Sequence, residues 1–195
     1  MNHTPQSEFS AAHRATLLQI AARSIEYGLE MGRPLAVAAA DYEAEMQQPR
    51  ASFVTLLLHG ALRGCIGHLE ACLPIIEDVA ENAYAAAFRD PRFPPLTATE
   101  RANLEIHISA LTPAEPVAFD SEADLIAKIR PFEDGLILVE GHHRGTFLPS
   151  VWESLPDSRV FLNHLKQKAG LPATHWSETL EVFRYQTESF SDAPS

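Results

Sequence analysis

An α+β fold built from antiparallel sheets and flanking helices is what this sequence of 195 residues predicts. Amphipathic helical stripes recur with a spacing of four. Short alternating runs come in pairs joined by tight-turn dipeptides. The two kinds of segment do not alternate in the regular way that a parallel sheet requires. A chain of this length buries roughly 70% of the surface exposed by its unfolded form, so its core needs no disulfide and no structural metal.

The elements follow in order. From Ser10 to Gly32, Leu17, Ala21, Ile25 and Leu29 recur every four residues, with Ser10 as the cap and Gly32 before Pro34 as the stop. A shorter helix is predicted over Leu35–Met46, ahead of Pro49. Strands over Ser52–Leu58 and Ala61–Gly67 flank a His59-Gly60 turn and read as a hairpin. Pro74 opens a helix to Phe88, whose buried stripe is Ile75, Ile76, Val79, Ala83 and Ala87. The prolines of RDPRFPP, Arg89–Pro95, keep it irregular, and TATE, Thr97–Glu100, has the pattern of a capping box.

Leu104–Leu111 alternates as a strand, with Glu105 and His107 on its non-core face. Ser121 caps a short helix through Ile129, and Leu136–Val139 and Thr146–Leu148 flank EGHHRG as a second hairpin. In that region Gly145 reads as a turn residue, and Phe147, Val151 and Trp152 read as core. A helix over Val160–Ala169, stopped by Gly170, precedes a closing strand, Leu180–Tyr185. Residues 1–9 and 192–195 read as flexible ends.

Composition excludes several functions. With 15 basic against 26 acidic residues, the net charge of −11 opposes stand-alone nucleic-acid binding, which relies on neutralising phosphates. No apolar run reaches the roughly 20 residues of a membrane span, and the polar start lacks a signal peptide's apolar core. Two cysteines, Cys65 and Cys72, are too few for a secreted disulfide framework and are expected to stay reduced, so the cytoplasm is the expected compartment. Cys65, His68 and Cys72 offer metal-ligand types without a second pair, and His142 and His143 sit at a hairpin tip, so no metal is expected. No Gly-rich loop opens a helix, no Ser–His–Asp set stands out, and no cofactor is expected. Oligomeric state is not legible.

The stretch LRGCIGHLEA, Leu62–Ala71, is the most informative, because glycine weakens a strand interior unless something approaches closely. An unbroken strand places Leu62, Gly64 and Ile66 on one face and Arg63, Cys65 and Gly67 on the other. Gly67 then leaves room beside the thiol for a ligand or another backbone. Arg63 supplies an adjacent guanidinium, which favours the reactive thiolate form of a cysteine. The plainer alternative is a small buried hydrophobe at Cys65 and an ion pair from Arg63 to Asp90 or Glu105. Asp90 suits a backbone-bonding role in a rigid loop, while Arg92 is open to either reading.

The blocks FVTLLLHGALRGCIG (Phe53–Gly67), AAFRDPRFPPL (Ala86–Leu96), LEIHISALTPAEP (Leu104–Pro116), RPFEDGLIL (Arg130–Leu138) and RGTFLPSVWESLP (Arg144–Pro156) resemble, in order, those of the AMMECR family. The resemblance covers most of Ala11–Phe190 and implies one domain over 10–190, an α+β fold of two subdomains whose shared cleft gathers the motif residues. The smaller subdomain is expected at about 50–112 and the larger at 10–48 plus 113–190. It implies Memo-type and radical-SAM-type partner proteins, and RNA modification as one target. Cys65, assisted by Arg63, is the expected reacting group, with Gly64, Gly67, His68, Asp90, Arg92 and Glu105 lining the cleft. His68, where a small hydroxyl residue is common, and the extra Cys72 depart from the family pattern. Two functions follow: a component of a modification pathway that uses Cys65, or a binding module whose cleft holds a partner segment or small ligand without chemistry.

Overall fold

The computed structural model describes residues 9–192. The chain divides into two compact units, one running to Leu111 and taking the residues from Glu188 onward, the other Thr112–Thr187. Residues 10–48 pack in the first unit rather than with 113–190, because their long helix buries its apolar stripe there.

That helix, α1 (Ala11–Met31), starts where the Ser10 hydroxyl accepts from the His13 amide at 3.1 Å. It ends at Gly32, whose left-handed φ of 67° lets its amide reach the Gly28 carbonyl. The predicted second helix is reduced to one 3-10 turn, Ala39–Asp41. Tertiary bonding overrides helical pattern here. The Met46 and Gln48 carbonyls accept from Ile76 and Ile75, the unpaired first amides of α2 (Ile75–Phe88), and the Ala39 amide donates to Glu77.

Strands β1 (Ser52–Leu58) and β2 (Ala61–Gly67) form the predicted hairpin, with positive φ at both His59 and Gly60. The four-residue helix α3 (Ala98–Arg101) precedes β3 (Leu104–Leu111), which pairs with β1, while β8 (Thr187–Ser191) completes a sheet of order β2-β1-β3-β8. Val54, Leu56, Ile106 and Ile108 alternate inward and bury against Leu17, Ala21 and Ile25 of α1 and Ile76, Val79 and Ala83 of α2. The flexible-end reading fails at both residues that are described: Phe9 is buried, and the Asp192 side chain accepts from the Ile106 amide at 2.7 Å. Residues 1–8 and 193–195 lie outside the described residues.

In the second unit, β4 (Glu115–Pro116), β5 (Gly135–Glu140), β6 (His143–Phe147) and β7 (Glu181–Tyr185) form an antiparallel sheet of order β4-β7-β5-β6. Ser121 caps α4 (Glu122–Lys128) and Asp157 caps α5 (Ser158–Lys168). Trp152 is buried and stacks on Phe161 at 3.7 Å, its indole N–H donating to the Asp134 carbonyl. Phe147 and Val151 pack against the same core from its margin. Gly145 is a strand residue rather than a turn residue. A Cβ there would lie 2.8 Å from the Ala169 nitrogen, so glycine admits the end of α5.

Packing in the first unit is tightest at Gly64, where a Cβ would lie 2.1 Å from the Ala86 carbonyl oxygen of α2. Gly64→Ala is therefore expected to lower stability by about 3 kcal/mol, as overpacking against a backbone does. Urea unfolding measures this, and an unchanged midpoint would contradict the packing described.

Candidate functional site

The site is set by a one-residue bulge. Leu56 pairs with Gly64 but Leu57 pairs with Leu62, leaving Arg63 as the extra residue of β2. Beyond the bulge, Gly64, Ile66 and His68 face α2 in alternation. They meet Ala86 and, two helical turns back, Asp78, which with Asn82 lies on the same helix stripe.

His68 Nε2 lies 2.7 Å from Asp78 Oδ1. The other Asp78 oxygen accepts from the Ser52 hydroxyl at 2.6 Å and the Asn82 amide at 2.9 Å. Burial pushes the Asp78 carboxyl upward, opposed by the Ser52 hydroxyl and by His68. His68 thus anchors the end of β2 to the start of α2 instead of standing beside Cys65.

The other sheet face carries the thiol. Thr55 sits opposite Cys65 on β2 and His107 on β3, giving a Cys65–Thr55–His107 row across three strands. The Thr55 hydroxyl donates to Cys65 Sγ at 3.1 Å. Glu105 is on this face beside His107, with 3.8 Å between its Oε2 and His107 Nε2. Cys65 is partly buried, and Cys72 is exposed; both are free thiols.

As a sheet edge, β2 directs the Cys65 N–H and C=O outward, and the loop after α2 takes both. The Cys65 amide donates to Asp90 Oδ2 at 2.9 Å, and Arg92 Nη2 donates to the Cys65 carbonyl at 3.3 Å. Arg92 also grips Asp90 through Nε at 2.9 Å and Nη2 at 2.7 Å, and the Arg92 amide donates to the same carboxylate. These bonds hold the Asp90 carboxyl well below the usual carboxylate range, Arg92 contributing most. Asp90 in turn raises Arg92, with the neighbouring Cys65 adding to the shift. Two side chains imitate a neighbouring strand and blunt the edge.

Arg63 is turned away from this arrangement. The bulge removes it from the thiol's side, and the guanidinium beside Cys65 is that of Arg92. Arg63 is buried and donates from Nε to Glu100 Oε1 at 2.7 Å and from Nη2 to Glu100 Oε2 at 3.2 Å and the Pro94 carbonyl at 2.9 Å. The expected ion pair exists, but with Glu100 rather than Asp90 or Glu105. Glu100 also accepts from the Thr97 amide and hydroxyl, which completes the capping box read in TATE. Gly67, expected to leave open space, is instead packed: a Cβ would lie 2.3 Å from the Ser52 carbonyl oxygen and 2.5 Å from the Phe53 ring.

Of the expected site residues, the structure thus brings together Cys65, Asp90 and Arg92. It places Glu105 two strands away on the same face, and sets Gly64 and His68 under α2. Thr55, Asp78 and Glu100 were not foreseen. Cys65 and His68 point to opposite faces of β2. Among the described residues, the His/carboxylate group close enough to share an ion is His13, Glu43 and Glu45, none of them expected ligands. No described helix is long and apolar enough to cross a membrane.

The Glu100 carboxyl is held at about 2, against an ordinary 4.5, by Arg63 first and then by Thr97. Because its pKa is lowered on folding, its contribution is complete above pH 4.5 and is lost as pH falls through 2. Glu100→Gln is expected to cost about 2 kcal/mol at pH 7, with a gap to wild type that closes toward pH 2. Unfolding curves across pH check this, and a gap independent of pH would contradict it.

Comparison with known proteins agrees with this architecture. The AMMECR1 family profile matches residues 18–190. A protein of Methanothermobacter thermautotrophicus is 38% identical over 183 residues, covering 91% of this chain and 93% of its own. One of Thermotoga maritima is 34% identical over 172 residues, covering 87% and 94%. The crystal structure of an uncharacterized protein from Pyrococcus horikoshii superposes with a TM-score of 0.77 at 35% identity, covering 90% of this chain and 89% of that one.

Proposed function

The chain belongs to the AMMECR1 family, and on that premise we propose that it is a cytoplasmic component of a modification pathway shared with Memo-type and radical-SAM-type proteins. Its working site is the sheet face around Cys65. The partners come from the family resemblance. What the geometry contributes in support is the thiol: partly buried, given a hydrogen bond by Thr55, and fixed at both backbone groups by Asp90 and Arg92.

The surroundings suit some thiol chemistry better than others. His107 stands two strands from Cys65, roughly 10 Å at ordinary strand spacing, too far for its imidazole to take the thiol's proton. Hydrogen-atom transfer needs no such base. The S–H bond breaks homolytically and a C–H bond forms on a substrate radical; the thiyl radical left on Cys65 is restored to the thiol by one electron from an external one-electron reductant and one proton from solvent. A second reading, a binding face without chemistry, is favoured by Gly64 and Gly67 both being occupied by packing and by the distance of His107 from Cys65.

Complementation of a deletion strain with Cys65→Ser and Cys65→Ala separates the two. The pathway reading expects both variants to fail while unfolding at the wild-type denaturant concentration. Full function in Cys65→Ser would overturn the thiol role and leave the binding face.

A further inference from the structure

Three contacts fix Cys65, and each comes from a different side chain. Asp90 accepts from its amide, Arg92 donates to its carbonyl, and the Thr55 hydroxyl donates to Sγ at 3.1 Å. The first two close the sheet edge and would serve any residue at position 65. The third is directed at the sulfur itself.

Thr55 stands opposite Cys65 in the β1–β2 register, and its hydroxyl has no other hydrogen-bond partner among the described residues. A strand asks of such a position only a β-branched side chain, which valine would provide as well. The hydroxyl is therefore surplus to the strand and is spent on the thiol. Such a donor does not treat the two protonation states of sulfur alike. Neutral sulfur is a weak acceptor, whereas an anionic one accepts a charge-assisted bond of roughly twice the strength.

Few charged groups compete for the sulfur. Arg92 lies beside it, with its charge paired to Asp90. Glu105 and His107 stand two strands away on the same face. On β2 itself Arg63 is turned to Glu100, and His68 lies against Asp78 on the other face.

We propose that Thr55 is a positioning residue for Cys65, its hydroxyl holding the sulfur and favouring the anion formed while the thiol is regenerated. This rests on the reading of Cys65 as the working thiol, and adds to it the residue that assists the return step. One electron from the external reductant converts the thiyl radical to the thiolate, to which the Thr55 hydroxyl stays bonded. A proton from solvent then completes the S–H bond.

Iodoacetamide labelling of Cys65 against pH, in a Cys72→Ser background, tests this. Thr55→Val is expected to move the midpoint of the labelling curve upward by roughly half to one pH unit, as loss of one charge-assisted bond predicts. Once ionised, the variant thiol labels at least as fast as wild type, because a less stabilised thiolate is the better nucleophile. Thr55→Ser, which keeps the hydroxyl, is expected to show the wild-type midpoint. Should Thr55→Val not fold, Thr55→Ala gives the same reading. A midpoint that stays in place, or that Thr55→Ser moves as far as Thr55→Val does, would overturn the proposal. So would a rate lowered equally at every pH, which is what altered packing alone produces. If the midpoint stays while Cys65→Ser still fails to complement, this inference falls and the thiol reading stands. If it moves while Cys65→Ser complements, Thr55 still tunes the sulfur but the thiol reading falls, and the role in regeneration with it.

Discussion

The extra residue in β2 decides what every side chain of the LRGCIG segment does. Were the hairpin regular, the His59-Gly60 turn would count Thr55 opposite Gly64. With Arg63 bulged out, Thr55 instead meets Cys65, and Gly64 comes beneath Ala86 of α2. A slip of one residue exchanges the faces of a strand. The bulge therefore settles that the thiol stands on the face away from α2 and that His68 reaches Asp78 on the helix side. It also frees Arg63 to leave the ladder and bind Glu100 and the Pro94 carbonyl.

The segments LRGCIG and RDPRF are two halves of one structure. An edge strand with open amides and carbonyls invites pairing with another chain. Here Asp90 and Arg92 complete Cys65, and Arg63 fastens the same loop from its other end through Pro94 and Glu100. The glycines have the complementary task, Gly64 admitting a helix backbone and Gly67 admitting the Ser52 carbonyl and the Phe53 ring. Much of the motif is thus explained by packing and edge closure. Cys65 is what packing leaves unexplained, and function is assigned to it.

Local chemistry made much of this legible in the sequence. The α1 stripe and Ser10 cap, the His59-Gly60 turn, the alternation of Leu104–Leu111 and the capping box at Thr97 each follow from neighbours within a few residues. Where distant partners decide, the reading failed. Residues 35–46 carry a helical pattern, yet the Ala39 amide is taken by Glu77 and the Met46 carbonyl by Ile76, both of α2. β8 is short and polar, and exists only because β3 offers it an edge. The face of Arg63 depended on a bulge that has no signature apart from the glycine after it. Asp78 went unnoticed because a carboxylate in an apolar stripe reveals its role only when Ser52, Asn82 and His68 converge on it. Asp90 and Arg92, read only as residues that could reach the cleft, bond the Cys65 backbone, and the guanidinium beside the thiol belongs to Arg92 rather than to Arg63.

The central claim is that side chains, not a neighbouring strand, hold the Cys65 backbone in place. Amide hydrogen exchange at Cys65 tests it most directly, in wild type and in Asp90→Ala. The account predicts a Cys65 amide protected in wild type despite its position on a sheet edge. That protection is lost in Asp90→Ala, while the amides between β1 and β3 keep theirs. A Cys65 amide that exchanges in wild type as fast as an open edge amide would contradict it.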